Sequence, residues 1–317
     1  MLQSCDMARA RIEIVGIGIA CLDHAIRVDR FPRDDRAHVL EYCRAGGGMA
    51  ATAMVTAQRL GARCALASAV GSDEPGRFVR SELRGEGVDV RYVRSRRQGR
   101  TSTSFCLAEA STGQKMIMGC PTELHPMKTS DVDKGFWQML QRCSLLHLDG
   151  WHAELALEAA DRARRAGVLV SFDATAVRSC TESILACSDI VFGSASFVRQ
   201  FCGRASYQQR LRALKRAASR ARWVGVTMGA NGSLAVDGRG RAFRQPAFRV
   251  TVADSVGAGD AYHGAIAYAA VRGWSLARAM RLASAVGALC CTQLSGRTGL
   301  PSLRQVQSFL ARHRGRR

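Results

Sequence analysis

Six short apolar runs, spaced along the chain and separated by longer amphipathic stretches, leave few folds open. IEIVGIGIA (12–20), RCALASAV (63–70), SLLHLDG (144–150), GVLVSFDA (167–174), DIVFGS (189–194) and WVGVTMG (223–229) read as buried strands. Segments 48–60, 75–86, 153–166 and 206–221 repeat their apolar residues at three and four and read as helices. Strand alternating with helix predicts an α/β fold, a doubly wound and mostly parallel sheet with helices on both faces. Ligands of such sheets sit beyond the carboxyl ends of the strands, so chemistry is expected in the loops that follow them.

Two stretches break this rhythm. Residues 22–45 and 99–119 alternate polar and apolar residues around turn signals, and are expected to form short antiparallel strands in a small sheet outside the core. A length of 317 residues suits one domain over 11–312 with this appendage, followed by a basic tail at 313–317. No run reaches the roughly 18 apolar residues that cross a bilayer. The opening MLQSCDMARARIEIV has no apolar signal core, so a cytoplasmic chain without a membrane partner is expected. Twelve scattered cysteines contain no C-x-x-C, which excludes a locally spaced zinc or redox motif and reads as reduced, mostly buried thiols.

A formal charge of +20 invites comparison with nucleic-acid binders. Lysine, however, occurs only at 115, 128, 134 and 215, so nearly all the positive charge is arginine spread along the chain. The densest run, Arg91 to Arg100, holds a single aromatic residue, Tyr92, and offers no stacking platform, so nucleic acid is not expected as a partner.

The segment Val252 to Asp260, VADSVGAGD, leads directly into a helical stretch. Small residues at Gly257, Ala258 and Gly259 let the chain turn tightly into a helix whose first amides are unpaired, which suits phosphate oxygens. Asp260 at that turn would face a hydroxyl approaching the phosphate and could take its proton; taken alone, it could equally be an ordinary helix-start carboxylate. A second glycine segment, AGGGMAAT (45–52), opens another helix. A third, VTMGANG (226–232), follows a buried strand. Each by itself also fits a simple turn.

Together and in this order, the three segments resemble the PfkB carbohydrate kinases, the ribokinase-like family. Residues 46–70 resemble the family's N-terminal signature and 254–268 its C-terminal signature, within a resemblance that spans 12 to about 311. It implies a ribokinase-like core with a β-sheet lid, ATP with Mg2+, and transfer of the γ-phosphoryl group to a sugar hydroxyl. By the same resemblance Asp260 is the catalytic base, and Gly257, Ala258 and Gly259 form the anion hole. Thr227, Gly229 and Gly232, with Gly257 and Gly259, would hold the nucleotide, while Asp23 grips sugar hydroxyls. Gly47, Gly48, Thr52, Arg36 and His152 complete the expected substrate side. Asp254 and Ser255, with segment 292–301, match a region that holds a monovalent cation in many members, which adds K+ to the expected ions.

Several phrases, among them LDGWH and CTQLSGRTGLPS, resemble sulfofructose kinases and neighbouring ketose kinases. Thr52 and Met49 stand where ribokinases carry asparagine and lysine, which disfavours ribose. Gly119 and Gly150 stand where sulfofructose kinases carry polar and basic side chains, leaving Arg36 as the one cation noted for a sulfonate. The family's N-x-x-E motif maps onto Ser194 to Phe197 without matching at either end, which leaves Asp173 as one candidate carboxylate for the metal or as a plain strand-end residue. The expected function is ATP-dependent phosphorylation of a primary hydroxyl on a ketose-like sugar. Sulfofructose or nucleoside phosphorylation on the same fold, and a nucleotide-binding regulator with weak turnover, are the alternatives. Phe105 and Leu107 alternate with polar neighbours on a lid strand, which allows a homodimer through the lid.

Overall fold

The computed structural model describes residues 11–32, 36–120 and 122–313. In chain order the elements are Ile14–Ile17 (β1), Cys21–Val28 (β2), Val39–Gly47 (β3), Met49–Arg59 (α1), Cys64–Gly71 (β4), Glu74–Gly85 (α2), Asp89–Arg96 (β5), Thr103–Glu109 (β6) and Lys115–Gly119 (β7). Lys134–Arg142 (α3), Leu145–Leu148 (β8), Ala153–Arg165 (α4), Leu169–Ala174 (β9), Thr181–Cys187 (α5), Ile190–Ser194 (β10), Ala195–Cys202 (α6) and Tyr207–Ala217 (α7) follow. The chain continues through Trp223–Thr227 (β11), Ser233–Asp237 (β12), Ala242–Gln245 (β13), Ala258–Val271 (α8), Leu276–Cys290 (α9) and Leu303–Arg312 (α10).

The main sheet has the order β13-β12-β11-β10-β9-β8-β1-β4-β5, parallel from β11 to β5 and closed at one edge by the antiparallel β12–β13 hairpin. Its six expected strands are present, and all four residues of β1 and of β8 are buried, as a sheet covered on both faces requires. One apolar cluster packs α1, α2, α8, α9 and α10 on one face; a second packs α3 to α7 on the other. The helices start at conventional signals: Asp73, Asp133, Ser194, Ser206 and Ser302 each accept a backbone N–H of the first turn. Among the described residues, no helix is long and apolar enough to cross a membrane.

One expectation needs correction, and two features add to the reading. The small sheet, order β3-β2-β6-β7, is mixed: β2 pairs antiparallel with β3 but parallel with β6. Alternation within each strand was legible, whereas the direction of β6 depends on the intervening core chain. The arginine run after Asp89 is largely strand β5, with Val90, Tyr92 and Val93 buried. Its arginines are tied locally: Arg91 to Asp89, Arg94 Nε to the Asp131 carbonyl, and Arg96 to the Asp131 carboxylate at 2.8 Å. Charged side chains on a sheet edge also discourage edge-to-edge pairing. The β12–β13 hairpin had no strong apolar signature and was not foreseen. Of the expected tail, only His313 lies within the described residues.

Helix α8 is apolar all round because it is packed between the sheet, α1 and α9, and ten of its fourteen residues are buried. It crosses α1 at Gly264, where an added Cβ would stand 2.4 Å from the Ala53 carbonyl oxygen and 2.7 Å from Thr56 Cβ. Gly264→Ala is therefore expected to destabilise the chain by about 1–3 kcal/mol through overpacking, in spite of alanine's better helix propensity. A fall in the urea midpoint at unchanged m-value checks this.

Candidate active site

Asp260 lies in the first turn of α8, whose N-terminal cap is Gly257 with φ +75°. That left-handed conformation favours glycine, and packing demands it too, since a Cβ there would stand 2.4 Å from the Cα of Gly296. A Cβ at Gly259, by contrast, would meet nothing within 4 Å, so the loop is open on the side from which a ligand comes. The free amides of 257–259 and the positive end of the helix face the same space as Asp260.

Asp23 reaches this region from lid strand β2. Its buried carboxylate rests against Gly47, where an added Cβ would stand 2.1 Å from Oδ2, and accepts the Cys21 thiol at 3.3 Å. Burial raises the Asp23 pKa, partly offset by the Cys21 thiol and Arg297. Asp260 is pushed up to about 6, chiefly by burial; Lys115 and Arg297 oppose the shift, and Asp23 and Asp149 add to it. The structure thus brings Asp23, Gly47, Asp260 and the 257–259 loop together where the lid meets the carboxyl edge of the sheet. Gly48 caps α1 beside them.

Thr52 is buried, and its hydroxyl accepts Arg297 Nε at 3.1 Å. Arg297 also donates to the Gly47 carbonyl at 3.3 Å and lies 3.7 Å from Glu82, so a guanidinium fills the space beside the threonine. Thr227 ends β11, and Gly229 and Gly232 flank the short helical turn after it. This loop is tied to α8 by a 2.9 Å contact between Ser233 and Tyr262.

Of the other expected residues, Arg36 lies at the far end of the lid and the rest are held by protein partners. Arg36 is exposed in the connection between β2 and β3. Five residues of β2 separate Asp23 from that end of the hairpin, about 17 Å of strand. His152 is a buried N-terminal residue of α4 whose Nδ1 accepts the Met127 amide at 3.1 Å; burial lowers its pKa to about 4, so the ring is neutral. Asp173 is fully buried with its Oδ1 3.1 Å from His263 Nε2, and burial pushes the acid up and the imidazole down toward a neutral pair. Ser194 caps α6 by accepting the Phe197 amide. Among the described residues, no cluster of three or more His, Cys, Asp or Glu side chains is arranged to hold a metal.

The groups expected to bind K+ already have protein partners. Asp254 accepts the amides of Val256 at 2.8 Å and Ser295 at 3.0 Å, and the Ser255 carbonyl accepts Lys115 Nζ at 3.2 Å. Each of these oxygens keeps a second lone pair, so the contacts are compatible with a cation beside them without supplying one.

Three residues at the site escaped the sequence reading. Arg297 lay within a segment noted only for its backbone. Lys115 stood out only as one of four lysines. Asp149, in the quoted phrase LDGWH, is buried and accepts the amides of Ile19 at 2.8 Å, Ala50 at 3.2 Å and Trp151 at 2.9 Å. Burial raises its pKa despite these bonds.

A tight glycine-bounded helix start carrying a carboxylate, facing a second carboxylate under a β-sheet lid, is the architecture of a sugar phosphotransferase. The pfkB family carbohydrate kinase profile matches residues 11–303, and the chain belongs to that family, whose members transfer phosphoryl groups to sugar hydroxyls. It is 31% identical to the aminoimidazole riboside kinase of Salmonella typhimurium over 86% of this chain and 90% of that one. With the ketohexokinase of Mus musculus it shares 25% identity over 88% and 96% of the two chains. The ribokinase of Arabidopsis thaliana, solved with ribose and ATP, superposes with a TM-score of 0.79 at 21% identity, covering 95% of this chain and 99% of that one. The last likeness establishes the ribokinase-like fold.

Loss of the Asp149 carboxylate leaves three backbone N–H groups without their acceptor. Asp149→Ala is expected to lower stability by on the order of 3 kcal/mol or more, and Asp149→Asn, which keeps one acceptor oxygen, by less. Urea unfolding of the two variants checks the order.

Proposed function

We propose that this kinase takes MgATP and phosphorylates a primary hydroxyl of a ketose-like sugar or sugar derivative. The observation that carries the reading is Asp260 at the open N-terminus of α8, with Asp23 facing it from the lid. In this reading Asp23 holds and orients sugar hydroxyls, and Asp260 accepts the proton of the attacking one. The amides of 257–259 stabilise charge on the transferring phosphoryl group, while the loop 227–232 seats the nucleotide beside it. Magnesium enters with ATP as part of the substrate. Most of the acceleration comes from positioning and fixed dipoles. Turnover is tested by a phosphotransfer screen across ketoses, aldoses, sulfosugars, fructosamines and nucleosides, and absence of transfer to any of them would favour a nucleotide-binding regulator.

The base makes two measurable demands. Asp260→Asn should lower kcat by on the order of 10²–10⁴ with ATP affinity nearly unchanged. Asp260 works only when ionised and its pKa is raised to about 6, so kcat/KM of the native enzyme should rise with pH through that value and level off above it. A pH-rate profile checks the sign.

A second substrate reading rests on Arg178. Its Cδ lies 3.7 Å from where a Gly150 Cβ would stand, its guanidinium lies 4.7 Å from the centre of the Trp151 ring, and its buried Nε has no hydrogen-bond partner. The flank bared by Gly150 therefore carries a cation after all, supplied by the loop after β9. This favours sugars with an anionic substituent, sulfofructose among them, alongside neutral ketoses. A charge-assisted hydrogen bond of about 1.5–3 kcal/mol corresponds to roughly 10- to 150-fold. Arg178→Ala should thus lower kcat/KM for an anionic sugar by at least about tenfold and leave a neutral ketose nearly unaffected, measured on the two substrates in parallel.

Leu40, Tyr42, Phe105, Met116 and Met118 are exposed on the lid. A lid-to-lid homodimer covering them belongs to the same reading, and sedimentation equilibrium tests it.

A further inference from the structure

The lid contributes a cation to the neighbourhood of Asp260. Lys115 opens β7, the outermost lid strand, and shares the lid face of Asp23 by strand alternation. All five residues of β7 are exposed, and among the described residues β7 pairs only with β6. Yet Lys115 Nζ reaches across to donate to the Ser255 carbonyl at 3.2 Å, 140 residues away and two residues before the glycine that starts the anion loop. A lone carbonyl uses one of the three N–H groups of an ammonium, so two remain for the cleft.

We propose that Lys115 is a positioning residue that makes the readiness of Asp260 to accept a proton depend on β7 being seated over the 255–260 loop.

The charges around Asp260 explain why this lysine matters. Asp23 from β2 and Asp149 from the end of β8 act against its ionisation; Asp173 from the end of β9 and the thiol of Cys290 from α9, both held protonated by burial, would do so only on ionising. Two cations favour it, Arg297 and Lys115. Arg297 is buried, bound to Thr52 and Gly47 and close to Glu82, so its charge is fixed in place and shared. Lys115 is the one carried by the lid. When β6 and β7 swing away while the β2–β3 pair stays seated, Asp260 keeps Asp23 and Asp149 and loses the Lys115 cation, so it holds its proton and the open enzyme is a poor base. When the lid returns, the ammonium restores the carboxylate. Base strength is thereby linked to closure, which limits transfer to water in the open state.

The inference rests on Asp260 acting as the base, and the test separates the two. The full-length chain, without ligand, is labelled with 13Cγ-aspartate, and the Asp260 resonance is assigned by its loss in Asp260→Asn. Its titration is followed in the native protein, Lys115→Met and Lys115→Arg. The expected result is a midpoint raised by about 0.5 pH unit or more in Lys115→Met and close to native in Lys115→Arg. The acid limb of kcat/KM should move by the same amount with the best acceptor from the screen. Equal midpoints in native and Lys115→Met protein overturn the proposal. If Asp260→Asn retains full turnover while Lys115→Met shifts the midpoint, the base assignment fails and the electrostatic link stands.

Discussion

Three separate pieces of backbone meet on one buried carboxylate. Asp149, just beyond β8, accepts amides from the turn after β1, from the first turn of α1 and from its own turn. A carboxylate out of water is costly unless such donors surround it, and those amides are orphans without it. The bargain fixes the floor of the site. Ile19 leads into lid strand β2, and Ala50 follows the glycines on which Asp23 rests, so lid and glycine segment are referenced to the same point. A Cβ at Gly18 would stand 2.1 Å from Asp149 Oδ2, which shows how closely the backbone wraps the group.

Beneath α8 lies a second buried polar group. His147 Nδ1 is 3.4 Å from Ser171 Oγ, and His263 faces Asp173 one turn below Asp260. Burial lowers the His147 pKa to about 4 and holds that of His263 well below the usual imidazole range, while raising that of Asp173. Neutral forms are thus favoured throughout, and the helix carrying Asp260 rests on dipoles and not on a buried charge. Asp260, pushed up to about 6, changes charge near neutral pH above this neutral support.

Much of this was legible in the chain. The six apolar runs became parallel strands, the glycine segments became the starts of α1 and α8 and the turn after β11, and Asp23 and Asp260 came together from opposite ends of the sequence. What stayed hidden depends on distant contacts. Thr52 reads as a loss of amide chemistry until Arg297 is seen bound to it from 245 positions away. Gly150 reads as a bare flank until Arg178 is found lying over it. Lysine 115 gives no periodic signal, because its importance comes from where a free strand carries it. The parallel pairing of β2 with β6 was invisible for the same reason: alternation reports which face a residue takes and says nothing of strand direction.

That parallel pairing means the lid is made from two excursions of the chain, not one. The first is held tightly, by residues 18–20 before β2 and by Gly48 alone between β3 and α1. The second is joined through longer connections, residues 97–102 before β6 and 122–133 before α3, tied to the core by Thr101 on Asp73 and by the Met127 amide on His152. Transplanting the lid into a relative would therefore require two matched grafts in place of a single cassette.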